Sequence, residues 1–201
     1  MVERLREALP QAAGLELDDV LEPLSGEAAL TVAAGDDAPV LTLAARTRDE
    51  ARTRDAMARL QGPVADRLAG GAPFSQREVA GAPAFSLTAT PRLQPTYAVS
   101  GGTLVASTDP SGLRQLGAAR TGLDQDSTFE QVFPDEDARV EALGFVDPRQ
   151  LLALGERTGL QGLGSPALRD DLRRIHKAAA VVREDAGHTS DTTAELFLEI
   201  P

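Results

Sequence analysis

Residues 96–110 read TYAVSGGTLVASTDP, and the architecture turns on them. Two short runs rich in Thr, Val, Tyr and Leu flank Gly101-Gly102, a pair free to adopt positive φ and so suited to a two-residue hairpin turn. Asp109-Pro110 comes directly after. It puts a carboxylate at a helix N-cap and a fixed φ at the first helical position, which predicts a helix carrying Leu113 and Leu116. The unit is therefore a hairpin followed by a capped helix.

Working outward, the same unit recurs with drift. Upstream, apolar runs at 27–34 and 39–45 surround Gly35-Asp36-Asp37, which reads as a hairpin turn. Thr47 with Glu50 three residues on has capping-box spacing. It predicts a helix over 48–69 with Ala51, Met57, Leu60, Val64 and Leu68 facing inward and a kink or break at Gly62-Pro63. Before that, Leu15, Leu17, Val20, Leu21 and Leu24 have helical spacing up to Ser25-Gly26, as do Val2, Leu5 and Leu9. Further strands are predicted at 75–79 and 84–90. Downstream, a strand at 140–146 runs into Asp147-Pro148, capping a helix with Leu151, Leu152 and Leu154. Ser165-Pro166 opens another through Leu168, Leu172, Ile175 and Ala179. Strands from 178 or 179 to 184 and from 192 to 200, about a polar turn at 185–190, close the chain. The expected fold is α+β: a mainly antiparallel sheet built from hairpins, each followed by a capped helix packed on one face. It is read as one domain over 1–201, or as two similar subdomains with a boundary near 117–127.

Composition narrows the function classes. Hydrophobic residues make up 42% and charged residues 25%, values that support a packed core. Without Trp, and with one Tyr and six Phe, there are few aromatic platforms for bases or sugars. The formal charge of -11 repels phosphate backbones and anionic lipid, so nucleic acid is not an expected partner. The absence of Cys excludes disulfides, thiolate nucleophiles and Cys-based zinc sites. The start MVERLREALPQAAG has no continuous apolar segment of the secretory type, and no stretch has the length and apolarity of a membrane span. No membrane contact by this chain itself is expected; an anchor would lie outside it.

The phrases Asp19-Val20-Leu21-Glu22-Pro23-Leu24-Ser25-Gly26-Glu27-Ala28-Ala29-Leu30 and Thr96-Tyr97-Ala98-Val99-Ser100-Gly101-Gly102-Thr103-Leu104-Val105-Ala106-Ser107 resemble domain of unknown function 3352, a largely actinobacterial family. The resemblance covers most of the chain and implies an extracytoplasmic domain tethered by an upstream membrane segment. It implies no activity, ligand or catalytic residue.

Five patterns bear on chemistry. Gly162-Leu163-Gly164-Ser165-Pro166-Ala167 matches a Gly-x-Gly-x-x-Ala fingerprint, but a predicted helix precedes it and Pro166 removes one amide of the phosphate nest; it is read as a loop and helix cap. Asp18-Asp19, Asp36-Asp37, Asp124-x-Asp126 and Asp135-Glu136-Asp137 lack the spacing of a calcium loop and read as solvated turns and caps. His176 and His188 are too few for a three-His zinc site. His176, among Arg173, Arg174 and Lys177, reads as a cation at a helix C-terminus or as a simple surface residue. Ser25, Ser100 or Ser165 would need one of these histidines beside it in space to act as a nucleophile, and no Gly-x-Ser-x-Gly elbow supports that. Arg46, Arg48, Arg52, Arg54 and Arg59 are interleaved with Asp49, Glu50 and Asp55 and read as a salt-bridged surface.

No catalytic, cofactor-binding or metal-ligating residue is assigned, and no cofactor is expected. The function expected is that of a non-enzymatic extracytoplasmic binding or interaction domain, with a protein or a small apolar ligand as partner. The alternatives are an enzyme whose dispersed acid/base site draws on carboxylates such as Glu27, Asp109 or Asp147, and a purely structural envelope module.

Overall fold

The computed structural model describes residues 17–36, 38–118, 140–157, 173–184 and 192–199, with 125 and 129. The chain divides into two compact units, 1–118 and 119–201. The first contains α1 (Leu17–Leu21), β1 (Leu24–Ala34), β2 (Pro39–Thr47), α2 (Glu50–Ala69), β3 (Ser75–Val79), β4 (Ala82–Ser86), β5 (Thr96–Ser100), β6 (Thr103–Ser107) and α3 (Pro110–Ala118). Its six strands form one antiparallel sheet in the order β1-β2-β6-β5-β4-β3.

Alternation along each strand separates the two faces. On one, Tyr97, Val99 and Leu104 are buried together with Met57 of α2, Phe74 and Phe85. Tyr97 stacks on Phe85 at 5.3 Å and meets Phe74 edge-on at 6.1 Å, and its hydroxyl accepts a hydrogen bond from Gln61 Nε2 at 2.6 Å. On the other face Val79, Ala84 and Ala98 pack against Leu113 of α3. β5 is therefore covered on both sides, and Thr96 to Val99 are all buried.

The face under α3 carries a row of hydroxyl side chains in register across every strand: Thr31, Thr42, Ser107, Thr96, Ser86 and Ser75. Burying hydroxyls is costly unless each is paired. Ser107 donates to the Leu41 carbonyl at 3.0 Å, so the proton in its 3.0 Å contact with Thr42 belongs to Thr42. Thr96 donates to the Gln94 carbonyl at 2.9 Å, so Ser86 is the donor in the 2.8 Å Ser86–Thr96 pair. Small side chains here let a helix approach closely. A methyl group on Gly112 would lie 2.2 Å from both the Thr42 and Ser107 hydroxyl oxygens, so only glycine fits where α3 rests on the row.

Several expectations shift. The capping box does not form, and Asp49 is the N-cap of α2, accepting from the Arg52 amide at 3.0 Å. Thr47 instead ends β2; its hydroxyl donates to the Pro23 carbonyl and touches the Thr53 hydroxyl at 2.6 Å, while Glu50 receives the Gly102 amide. Pro63 does not break α2, which runs unbroken for 20 residues. The carbonyl it leaves without an amide is that of exposed Arg59, where water can satisfy it. The inward face of α2 is also rotated: Thr53, Ala56 and Ala65 are buried, whereas Ala51 and Leu68 are exposed. Leu24 belongs to β1 rather than a helix, because Pro23 ends helical geometry before it. β4 stops at Ser86; after buried Leu87 the chain folds back on itself, with the Leu87 amide on the Pro95 carbonyl and a bridge between Thr90 and Leu93.

The second unit has β7 (Val140–Val146), α4 (Pro148–Arg157), β8 (Lys177–Glu184) and β9 (Thr192–Glu199), with the three strands antiparallel in that order. Ala179 and Val181 are buried beside Phe145 and Phe197. Ala179 therefore lies in a strand and not at the end of a helix, since Ile175 already has left helical geometry. Asp147 caps α4 through the Arg149 and Gln150 amides at 2.9 and 3.2 Å. The expected start of a helix at Ser165-Pro166 and the turn at 185–190 lie outside the described residues.

Candidate functional site

Where β1 turns into β2, α3 begins and residues 91–94 loop past, a cleft of about 320 Å³ opens on the α3 face of the six-stranded sheet. Three arginines from three separate elements line it: Arg77, Arg92 and Arg114. Arg77 pairs with Ala84 in the β3–β4 ladder, so it shares the face on which Ala84 and Val79 pack under Leu113. Arg92 is held by the tight local turn, its amide bonded to the Thr90 hydroxyl at 3.3 Å and the loop tied to β6 by the Gln94 amide on the Thr108 carbonyl at 3.0 Å. Arg114 lies one turn into α3, three and four residues after Ser111 and Pro110, on the same side of the helix. Gly112 faces the opposite way, onto the hydroxyl row, and the contact there fixes the height at which Arg114 stands over the cleft.

The first amides of α3 are already used. Ser111 N donates to Asp109 Oδ1 at 2.8 Å and Gly112 N to the Asp109 carbonyl at 3.1 Å. Among the described residues, none of the three guanidinium groups is engaged in an ion pair or hydrogen bond, in contrast to Arg46 with Glu27, Arg52 with Glu22 and Arg54 with Glu50. Asp36 and Asp109 also line the cleft, leaving its wall with more positive than negative side chains although the chain as a whole is at -11. Guanidinium forks match the geometry of carboxylate and phosphate oxygens.

The residues singled out in the sequence are placed differently. Asp36 lines the cleft, whereas Asp37, Asp124, Asp126, residues 135–137, 162–167 and His188 lie outside the described residues. Asp18 and Asp19 sit in the first turn of α1. Glu27 is paired with Arg46 at 2.7 Å, Asp109 caps α3 and Asp147 caps α4. His176 follows the helical residues Arg173–Arg174, with its amide on the Glu199 carbonyl at 2.8 Å and Nδ1 3.9 Å from a Glu199 carboxylate oxygen. Ser100 is exposed at the end of β5. Three of the five arginines of the 46–59 segment, Arg46, Arg52 and Arg54, form ion pairs, and two of the three partners come from elsewhere: Glu27 from β1 and Glu22 from the turn after α1. Among the described residues no group of three or more His, Cys, Asp or Glu could hold a metal ion, and no helix is long and apolar enough to cross a membrane.

Sequence reasoning missed Arg77, Arg92 and Arg114 because no spacing links them. Strand parity could have put Arg77 on the face of Val79, but only the position of β3 in the sheet and the return of α3 across it bring the three together. No protein-family model, curated protein or solved structure matches the chain.

Proposed function

We propose that this chain is a non-enzymatic binding domain that takes a compact anion, a phosphate- or carboxylate-bearing group, in the cleft beside α3. One observation carries the reading: Arg77, Arg92 and Arg114 converge on one concave surface with no ion-pair partner among the described residues, in a chain where acidic residues outnumber basic ones. Three arginines on one concave surface, with Asp36 and Asp109 on the same lining, leave one positive charge in excess that an anion would offset. The charged lining favours an anion over the small apolar ligand that the sequence suggested. Extracytoplasmic placement rests on the family resemblance and is part of the same proposal.

The test is titration of the full chain with pyrophosphate and with citrate, at about 20 mM salt to limit screening. Each of Arg77→Ala, Arg92→Ala and Arg114→Ala is expected to weaken binding about 10-fold, or about 1.4 kcal/mol. Arg59→Ala, on the exposed side of α2, serves as the control and leaves affinity unchanged. Absence of binding, or equal loss from the control, would overturn the reading.

A further inference from the structure

We infer that β1 is a self-association edge, on which a second copy of this chain adds its own β1 in antiparallel fashion to make one continuous twelve-stranded sheet. β1 is the outermost strand on one side of the six-stranded sheet and is 11 residues long, or about 36 Å. Natural edge strands are protected by charge, proline or bulges. The other outer strands follow that rule in their sequences: β3 has Arg77 and Glu78, β7 has Glu141, and β9 has Glu195 and Glu199. β1 has an irregularity between Leu24 and Ala28, where Gly26 adopts φ +83, but from Ala28 to Ala34 it has no charge, no proline and no break in register.

That uncharged segment reads Ala-Ala-Leu-Thr-Val-Ala-Ala and is almost a palindrome about Thr31. The symmetry is what selects a second copy as occupant. Antiparallel pairing about a two-fold axis at Thr31 sets Thr31 against its own copy, Leu30 against Val32, and alanine against alanine outward to Ala28 and Ala34. The faces match as well. Leu30 and Val32 are 66% and 52% exposed, and their cross-strand partners Leu43 and Leu41 are 38% and 42% exposed. Pairing aligns these into two four-residue apolar rows running across the axis, and on the opposite face it joins the two hydroxyl rows at Thr31. Because each copy uses this edge once and the far edge is charged, the assembly closes at two copies.

The chain has no cysteine, which permits a direct test. Thr31→Cys places one thiol on the axis, at a Cα separation compatible with a disulfide, and mild oxidation is expected to give a covalent dimer of twice 21.1 kDa. Ala29→Cys, which would face Ala33 of the other copy, should cross-link at least about 10-fold less. In sedimentation of the unmodified chain at roughly 100 μM, dimer is expected and is lost in Leu30→Lys, whereas Leu196→Lys, at a 70% exposed leucine of β9, leaves it intact. Both substitutions are at exposed positions, so folding is preserved. The dimer should tighten as salt rises from about 0.05 to 0.5 M, since each copy is at -11. A monomer at that concentration, equal cross-linking at 29 and 31, or a dimer indifferent to Leu30→Lys would overturn the inference.

Discussion

Replacing Gly112 with alanine sets helix propensity against packing, and the geometry decides the sign. In an exposed helix, glycine to alanine stabilises by about 1 kcal/mol. Here the new methyl would stand 2.2 Å from two hydroxyl oxygens and 2.9 Å from the Ser107 Cβ, where ordinary contact begins near 3.4 Å. Either α3 lifts by about 1 Å or the Thr42–Ser107 pair separates. Overpacking of this kind costs about 1–3 kcal/mol, and leaving a buried hydroxyl without its partner costs about 1–3 kcal/mol more where it occurs. After subtracting the propensity gain, we expect a net loss of about 2 kcal/mol. In urea unfolding with a slope near 2 kcal/mol/M, that lowers the midpoint by about 1 M. Gly62→Ala in α2, with no atom within 4 Å of the added methyl, is the control and should be neutral or stabilising. Since α3 also holds Arg114 at the cleft, Gly112→Ala should weaken anion binding too. An unchanged or raised midpoint for Gly112→Ala would refute the close seating of α3 on the hydroxyl row.

Two more effects can be measured on the same protein. Ala80 has φ 52 in the two-residue β3–β4 turn beside Gly81 at φ 80, so Ala80→Gly relieves left-handed strain and should raise stability by about 1 kcal/mol in the same unfolding assay; a loss would show the turn is not strained. Burial raises the Tyr97 pKa above 10.0, against a smaller lowering by the Gln61 hydrogen bond. Its ionised form is thus favoured by unfolding, so the contribution of Tyr97 to stability is intact below pH 10, is lost as pH rises through the folded value, and disappears in Tyr97→Phe. Absorbance titration of the single tyrosine should give a midpoint above that of the unfolded chain, and coincident midpoints would contradict its burial between Phe85 and Phe74.

Local chemistry made much of this protein legible in its sequence. Gly101 and Gly102 adopt φ 59 and 74 in the turn expected of them, and Asp109 and Asp147 cap helices as their spacing before proline requires. These features depend on the chain's own neighbours within a few residues, and so do the antiparallel β3–β4 and β5–β6 hairpins, since two-residue turns allow no other pairing. What composition and periodicity could not supply was long-range placement. Thr47 looked like a cap because its distant partner, the Pro23 carbonyl, is invisible in sequence. Ala51 and Leu68 looked inward because periodicity cannot tell which face of α2 meets small residues and which meets Tyr97. The hydroxyl row needs the register of six strands at once, and the cleft needs β3 at the edge, the loop folded back at Leu93 and α3 seated by Gly112. Sequence alone fixed which backbone segments turn, pair and cap, because those energies are local; the meeting of Arg77, Arg92 and Arg114 was decided by tertiary structure, because only packing across the sheet brings together residues that share no local interaction.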